Sequence, residues 1–119
     1  MNQKLKSCCS ENKIEGDELI GAYKIFFGTM ASEPRLKILN LLRKKKMNVS
    51  EIMEETGMEQ GFVSHNLARL KKCGFVEIEN EGKFRVYKLN EKTIKPLLTL
   101  IDEHMAQNCV HILRGEIDG

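Results

Sequence analysis

The fold is decided by residues 48–74, which read NVSEIMEETGMEQGFVSHNLARLKKCG. The first ten of these residues have apolar positions at helical spacing and end at Gly57, a residue type at which helices often stop. The inward positions there are Val49, Ile52 and Met53. A second helix is predicted from about Glu59 to Cys73, and its apolar side contains Phe62 or Val63, with Leu67 and Leu70. Two helices joined by so tight a turn indicate a helix-turn-helix.

After Gly74 the pattern changes from helical spacing to the alternation of β-strands. The alternating residues are Val76, Glu77, Ile78 and Glu79 in a first run and Phe84, Val86 and Tyr87 in a second. The turn at residues 80–83 separates the two runs, and Gly82 supplies the positive φ that a tight turn requires. The sequence therefore predicts a hairpin, or wing, in which Glu77 and Glu79 face Arg85 and Lys88.

Two further helices are predicted before residue 48. From Asp17 to about Met30, apolar residues recur at spacings of three and four: Leu19, Ile20, Tyr23, Phe26 and Phe27. Ser32 can cap the next helix, and Pro34 lies in its first turn. The apolar residues that follow favour a mostly buried helix: Leu36, Ile38, Leu39, Leu41 and Leu42.

A last helix is predicted from Glu91 to about Arg114. Its apolar stripe consists of Leu98, Ile101, Met105, Cys109 and Ile112. Because so small a domain cannot cover this stripe fully, we expect a homodimer that forms through the terminal helices. The predicted fold is mainly α with a small β-hairpin (α+β), a winged helix-turn-helix of order ααααββα at residues 17–114. We expect residues 1–16 to be a mobile, cysteine-bearing tail and residues 115–119 to be a C-terminal tail.

Composition limits the classes of protein that the chain can belong to. Its 119 residues, 41% apolar and 30% charged, have the values of one globular domain. No run approaches the roughly eighteen consecutive apolar residues of a membrane span, and the first ten residues lack the apolar core of a secretion signal. A cytoplasmic location is therefore predicted. The chain has no glycine-rich phosphate loop, nucleophile motif or Cys-x-x-Cys pair, so we do not expect an enzyme.

The formal net charge of +2 is too small to indicate a nucleic-acid partner, so the distribution of charge matters more. Residues 60–73 contain Arg69, Lys71 and Lys72 but no acidic residue, whereas a solvated helix face usually interleaves both signs. The side chains expected to read DNA base edges are Gln60, Ser64, His65, Asn66 and Arg69. Amide groups suit adenine, and Arg69 suits guanine or phosphate.

Two basic segments lie outside this helix. Lys83 and Arg85 on the wing are expected to reach phosphate or the minor groove, although the acidic residues Glu77, Glu79 and Glu81 make the hairpin neutral in sum. The run Arg-Lys-Lys-Lys at residues 43–46 suits the C-terminal end of a helix. A solvated turn and a phosphate contact both remain open for this run.

The segments SEPRLKIL at residues 32–39, QGFVSHNLARL at 60–70 and KCGFV at 72–76 resemble the ArsR/SmtB family of dimeric, metal- and stress-responsive repressors. The resemblance covers about residues 17–114 and implies a DNA-binding repressor. Founding members of that family often carry a thiol pair on the first helix of the DNA-binding motif. Residues 49–55 contain no cysteine, so we expect any sensing to occur elsewhere.

Cysteines outside the motif are the candidate sensor residues. Cys8 and Cys9 form a vicinal pair, and soft thiolates capture soft metals or arsenite, although a tail pair can also be incidental. Cys109 is either a packing residue or a thiolate at the dimer seam. Cys73, beside Gly74, is predicted to be structural.

The resemblance also implies a zinc site on the last helix, with the pattern Asp-x-His followed by His-x-x-Glu. Asp102 and His104 match its first half, and His111 lies nearly on the same face of a continuous helix. The spacing to His111 and Glu116 departs from the pattern by about a helical turn, which weakens this site.

These observations together predict a homodimeric DNA-binding repressor that binds an inverted-repeat operator in double-stranded DNA. A soft metal, arsenite or a thiol-reactive sulfur species or oxidant would release it, and no cofactor is required. The alternatives are a winged-helix module for protein interaction and a transcription regulator that senses nothing.

Overall fold

The computed structural model describes residues 14–116. The elements are α1 (Gly16–Met30), α2 (Glu33–Leu42), α3 (Val49–Thr56), α4 (Gln60–Lys72), β1 (Val76–Glu81), β2 (Phe84–Leu89), α5 (Ile94–Gln107) and α6 (Cys109–Leu113). The predicted α-rich winged helix-turn-helix is confirmed. Cys8 and Cys9 lie outside the described residues.

The helix-turn-helix forms because both ends of α3 are fixed by local hydrogen bonds. At its start, the Asn48 side chain accepts from the Glu51 backbone N–H, and the Glu51 carboxylate accepts from the Asn48 N–H, each at 2.9 Å. At its end, Gly57 adopts the left-handed conformation with φ of 77°. The chain then turns, and α4 begins at Gln60.

One apolar core joins the first four helices to the hairpin. Its members with no exposed surface at all are Ile38 from α2, Ile52 from α3, Val63, Leu67 and Leu70 from α4, and Phe75 from the turn into the wing. Val63, and not Phe62, is the inward residue at the start of α4, since Phe62 is 47% exposed. Phe26 stacks on Phe75 with ring centroids 4.9 Å apart and so connects α1 to the core.

The wing is a two-stranded antiparallel sheet closed by Gly82, with φ of 62°, and Lys83. Backbone hydrogen bonds between Met47 and Tyr87, of 3.0 and 2.8 Å, tie the loop before α3 to β2. The register places Glu77 opposite Lys88, as predicted, but Arg85 lies opposite Asn80. The prediction that Arg85 faces an acidic residue is therefore wrong.

The prediction of one continuous helix from Glu91 to Arg114 is also wrong. At its start, the Asn90 side chain accepts from the N–H groups of Lys92 and Thr93, which holds a turn until α5 begins at Ile94. At Asn108 the backbone leaves helical geometry, with φ of −127° and ψ of −77°. Its side-chain amide donates to the His104 carbonyl at 2.9 Å, so the side chain ends α5 and separates it from α6.

Apolar side chains on the terminal helices remain exposed. They are Ile20, Tyr23, Ile25 and Phe27 on α1 and Leu100, Met105, Ile112 and Leu113 on α5 and α6. The predicted stripe divides, because Leu98 and Ile101 pack against the core of their own chain while Met105 and Ile112 do not. No helix within residues 14–116 is both long and apolar enough to cross a membrane.

The two glycines that flank the tight turn should respond oppositely to the same substitution. Gly57→Ala should lower the free energy of unfolding by about 1 kcal/mol, because a Cβ disfavours a left-handed residue with φ of 77°. Gly61→Ala should raise it by roughly 0.5 kcal/mol, since the helical Gly61 has open space around an added Cβ. Urea denaturation followed by circular dichroism measures both. Equal effects of the two substitutions would contradict this assignment.

Candidate nucleic-acid interface

The outward face of α4 is the candidate surface for reading DNA. Burial of Val63, Leu67 and Leu70 on one side directs the opposite side to solvent. The exposed residues of α4 are Gln60, Gly61, Phe62, Ser64, His65, Ala68, Arg69, Lys71 and Lys72. Gly61, His65, Ala68 and Lys72 follow one another at steps of four, three and four, so they lie along the line opposite the core. The small Gly61 and Ala68 leave the backbone open to close approach, and no acidic residue interrupts this face.

Asn66 does not belong to this face, so its predicted place on the exposed side is wrong. It is 3% exposed. Its Nδ2 donates to the Phe62 carbonyl at 3.0 Å, and its Oδ1 accepts from Nη1 of Arg35 at 3.1 Å. Position 66 lies three residues after Val63 and four before Leu70, within the buried stripe. The spacing in the sequence therefore indicated that position 66 is buried, but the polarity of asparagine led to the prediction that it is exposed.

Arg69 lies at the edge of the outward face. The residue is exposed, yet its Nε donates to the Thr29 hydroxyl at 3.2 Å. A guanidinium has four further N–H donors, so this bond still leaves donors for a second partner. The predicted contact between Arg69 and DNA stays a prediction.

Ion pairs engage two acidic residues of the wing, Glu79 and Glu81. Lys46 contacts Glu81 at 2.6 Å and Glu79 at 2.9 Å, and Lys88 contacts Glu79 at 3.1 Å. Hydrogen bonds to Glu81 and Glu79 raise the pKa of the Lys46 ammonium, and those from Lys46 and Lys88 lower the pKa of the Glu79 carboxyl. Both shifts favour the charged forms of Lys46 and Glu79.

The basic run at residues 43–46 contains two residues that form ion pairs and two lysines that are exposed. Arg43 forms an ion pair with Asp102, and Lys46 holds the wing acids, so both ends of the run are engaged within the chain. Lys44 and Lys45 are exposed. Because two of its four residues pair with acids of the same chain, neither interpretation left open by the sequence, a solvated turn or a phosphate contact, describes the whole run.

The tip of the wing presents two cations and an aromatic ring. Lys83 and Arg85 are exposed on either side of Phe84, whose side chain is 61% exposed. In the sequence, Phe84 fits the apolar alternation of a strand, and nothing there shows that it faces solvent. With Glu79 and Glu81 held by Lys46, the tip is more basic than the summed charge of the hairpin suggests.

The predicted metal ligands of the last helix do not assemble. Asp102 is paired with Arg43, and His111 Nδ1 contacts the Glu116 carboxylate. The break at Asn108 places His104 in α5 and His111 in α6, so the prediction that they share one helical face is wrong. Within residues 14–116, no group of three His, Cys, Asp or Glu side chains is arranged to hold a metal ion.

The two cysteines of the described region occupy different surroundings. Cys109 is exposed at the start of α6, in an apolar groove of about 540 Å³ that is lined also by Met105, Val110, Ile112 and Leu113. Cys73 is half-buried at the end of α4, with Sγ 3.3 Å from the Thr29 hydroxyl. This contact agrees with the structural role predicted for Cys73.

Comparison with known proteins identifies the class. Residues 32–77 match the family model described as bacterial regulatory protein, arsR family. An HTH-type transcriptional regulator of Methanocaldococcus jannaschii is 35% identical over 78 residues, which cover 65% of this chain and 88% of that protein. A probable mercury resistance operon repressor of Streptomyces lividans is 29% identical over 96 residues, which cover 76% of this chain and 77% of that protein.

A solved structure shows the same fold. It is the homodimeric winged helix-turn-helix DNA-binding domain of a possible ArsR-family regulator from Mycobacterium bovis, with a TM-score of 0.69 and 26% identity, covering 89% of this chain and 92% of that one. The fold and the exposed face of α4 define a DNA-binding transcription regulator. The chain belongs to the ArsR family, as its sequence motifs predicted.

Two neighbouring lysines provide a matched test of the wing electrostatics. Lys46→Met should weaken DNA binding by about tenfold, because it leaves Glu81 unpaired and Glu79 paired with Lys88 alone beside the phosphate backbone. Lys45→Met removes one exposed charge from the same run and should cost only about two- to threefold. Fluorescence anisotropy with a labelled promoter fragment measures both losses.

The double variant Lys46→Met with Glu81→Gln serves as the control for this test. It should recover part of the lost affinity, since it removes the acid that the single substitution leaves unpaired. Equal losses for the two single lysine variants would show that Lys46 acts only as another surface charge.

Proposed function

We propose that this chain is a cytoplasmic, homodimeric repressor that binds an inverted-repeat operator and is released when an effector engages its cysteine thiols. The observation that carries the proposal is the outward face of α4, which has no acidic side chain and carries small residues at Gly61 and Ala68. Such a face fits the major groove, where a helix must approach the bases closely. No catalytic activity is part of the proposal.

Each candidate DNA contact has a separate role in this account. Gln60, Ser64 and His65 supply hydrogen-bonding groups for base edges from the outward face of α4. Arg69, Lys83 and Arg85 supply cations for phosphate or for guanine. Asn66 has no direct role at the DNA, because both ends of its amide are already engaged.

The homodimer is supported by two observations. Exposed apolar side chains occur on α1, near the start of the described residues, and on α5 and α6, near their end. The Mycobacterium bovis neighbour is described as homodimeric. Two recognition helices related by a two-fold axis would lie about 34 Å apart, one turn of DNA, and would therefore read an inverted repeat.

Base contacts and phosphate contacts can be separated by experiment. His65→Ala should lower the affinity for the promoter site by about tenfold and leave binding to random DNA and its salt dependence unchanged. Lys83→Ala should weaken binding to both DNAs similarly and reduce the salt slope by about two, one for each protomer. Titrations at several salt concentrations measure these quantities. If His65→Ala lost the same affinity for random DNA as for the promoter site, the assignment of His65 to base contacts would be contradicted.

The effector is proposed from the chemistry of the available thiols. Helix α3 has no cysteine, and the described residues contain no preformed cluster of metal ligands. Cys109 is exposed on the apolar surface proposed for the dimer, where a thiol of the partner's tail could meet it. Thiolates bind mercury(II) and arsenite tightly and react with oxidants and sulfur species, and one relative is a probable mercury resistance repressor.

Substitution of the thiols tests this proposal. Mercury(II), arsenite or a persulfide should release the reduced wild-type dimer from its operator, and Cys8→Ser with Cys9→Ser should abolish the response to at least one of them. Cys73→Ser is the matched control and should respond as the wild type does, since its thiol contacts Thr29 within the fold. Release of the double variant at wild-type effector concentrations would remove the tail from the mechanism.

An alternative use of the fold is a protein-interaction module. It would be favoured if the wild-type dimer bound its own promoter region no more tightly than random DNA. A regulator that senses nothing would bind its promoter specifically and be released by none of the thiol reagents.

A further inference from the structure

One guanidinium connects the end of α1 to the recognition helix α4. Arg35, in the first turn of α2, donates from Nε to the Thr29 carbonyl at 2.7 Å and from Nη2 to the Gly28 carbonyl at 3.4 Å. From Nη1 it donates to Oδ1 of Asn66 at 3.1 Å. A single side chain therefore binds acceptors on two other helices.

A second connection between α1 and α4 starts from the same residue of α1. The Thr29 hydroxyl accepts from Nε of Arg69 at 3.2 Å and lies 3.3 Å from the Cys73 sulfur. Thr29 thus contacts Arg35 through its carbonyl and the C-terminal half of α4 through its side chain.

These contacts account for the polar groups of the core. Among residues 14–116, Thr29 and Asn66 are the two buried polar residues, with exposures of 0% and 3%. Both belong to this network. A buried polar group without a partner destabilises the folded state, so these contacts stabilise the native arrangement of α1, α2 and α4.

The network constrains the rotation of α4 about its own axis. Apolar packing of Val63, Leu67 and Leu70 tolerates small rotations, because it is not directional. The hydrogen bonds of Asn66 and Arg69 are directional, and they reach α4 from the side of α1 and α2. This rotation of α4 about its axis decides whether Ser64 and His65 point into the major groove of DNA.

We propose that Arg35 and the Thr29 hydroxyl position the recognition helix for DNA binding. Arg35 bonds to Asn66 and to the Thr29 carbonyl, the hydroxyl bonds to Arg69, and together these contacts fix the rotation of α4 relative to the end of α1. The proposal deepens the proposed function and rests on it. Helix α1 also carries part of the exposed apolar surface that we propose for the dimer. The same contacts therefore couple the arrangement of the dimer to the rotation of α4. A lysine cannot replace Arg35, since one ammonium cannot span three acceptors in a planar fork.

Arg35→Met is the direct test. Its affinity for the promoter site should fall by about thirtyfold, while binding to random DNA and the salt slope remain those of the wild type, since no phosphate contact is lost. Arg35→Lys should lose nearly as much. Lys37→Met is the matched control, because Lys37 lies on the same helix and contacts only Glu33 among the groups described; it should bind as the wild type does. Wild-type affinity of Arg35→Met for the promoter would overturn the proposal.

A second pair of variants keeps the test decisive if Arg35→Met does not fold. Thr29→Val removes only the hydroxyl, and with it the contacts to Arg69 and Cys73, whereas Thr29→Ser retains the hydroxyl. Thr29→Val should lose about fivefold in promoter affinity, with sedimentation showing an intact dimer, and Thr29→Ser should bind as the wild type does. Identical binding by the two variants would overturn the proposal.

Backbone amide NMR shifts separate this proposal from the proposed function. In the DNA-free dimer, Thr29→Val or Arg35→Lys should move the amide signals of residues 60–72 more than those of α3. If the wild-type dimer showed no preference for its promoter, the proposed function would fail while these shifts still reported the link to α4. Signals of α4 unchanged in both variants would refute the link itself.

Discussion

Burial of one side of α4 is the constraint on which the rest of the molecule depends. Val63, Leu67 and Leu70 have no exposed surface, and they share a core with Ile38 of α2 and Ile52 of α3. Burying each such side chain contributes roughly 1.5–3 kcal/mol, so no competing arrangement of α4 exposes them. The polar and basic side of the same helix is thereby directed outward, and this is the surface that defines the class of the protein.

The charge distribution follows from how the fold pairs its ions. The chain has a net charge of only +2, which says little about its partner. Lys46 and Lys88 pair with Glu79 and Glu81 of the wing, and Arg43 pairs with Asp102 on α5. Unpaired acids near the recognition helix would repel phosphate, so these pairs reduce the repulsion that Glu79 and Glu81 would otherwise exert.

Local sequence signals predicted most elements of the fold. Of the wrong predictions, the place of Asn66 depends on a long-range contact, whereas the break at Asn108 involves a local one. The cap at Asn48, the stop at Gly57 and the turn at Gly82 are properties of a few neighbouring residues, which a single sequence shows. The buried position of Asn66 depends on Arg35, which lies 31 residues away. The side chain of Asn108 ends α5, but an asparagine in an apolar periodic segment did not reveal this. Cys8 and Cys9 lie outside the described residues, so their predicted role in sensing stays a prediction.

The central claim is that the outward side of α4 and the tip of the wing bind DNA. Hydrogen–deuterium exchange of the dimer, with and without a duplex from its own promoter region, tests this claim most directly. The account predicts slower exchange on DNA binding in residues 60–72 and 82–85, with little change on α5 and α6. Protection confined to α1, α5 and α6, or no protection at all, would contradict it.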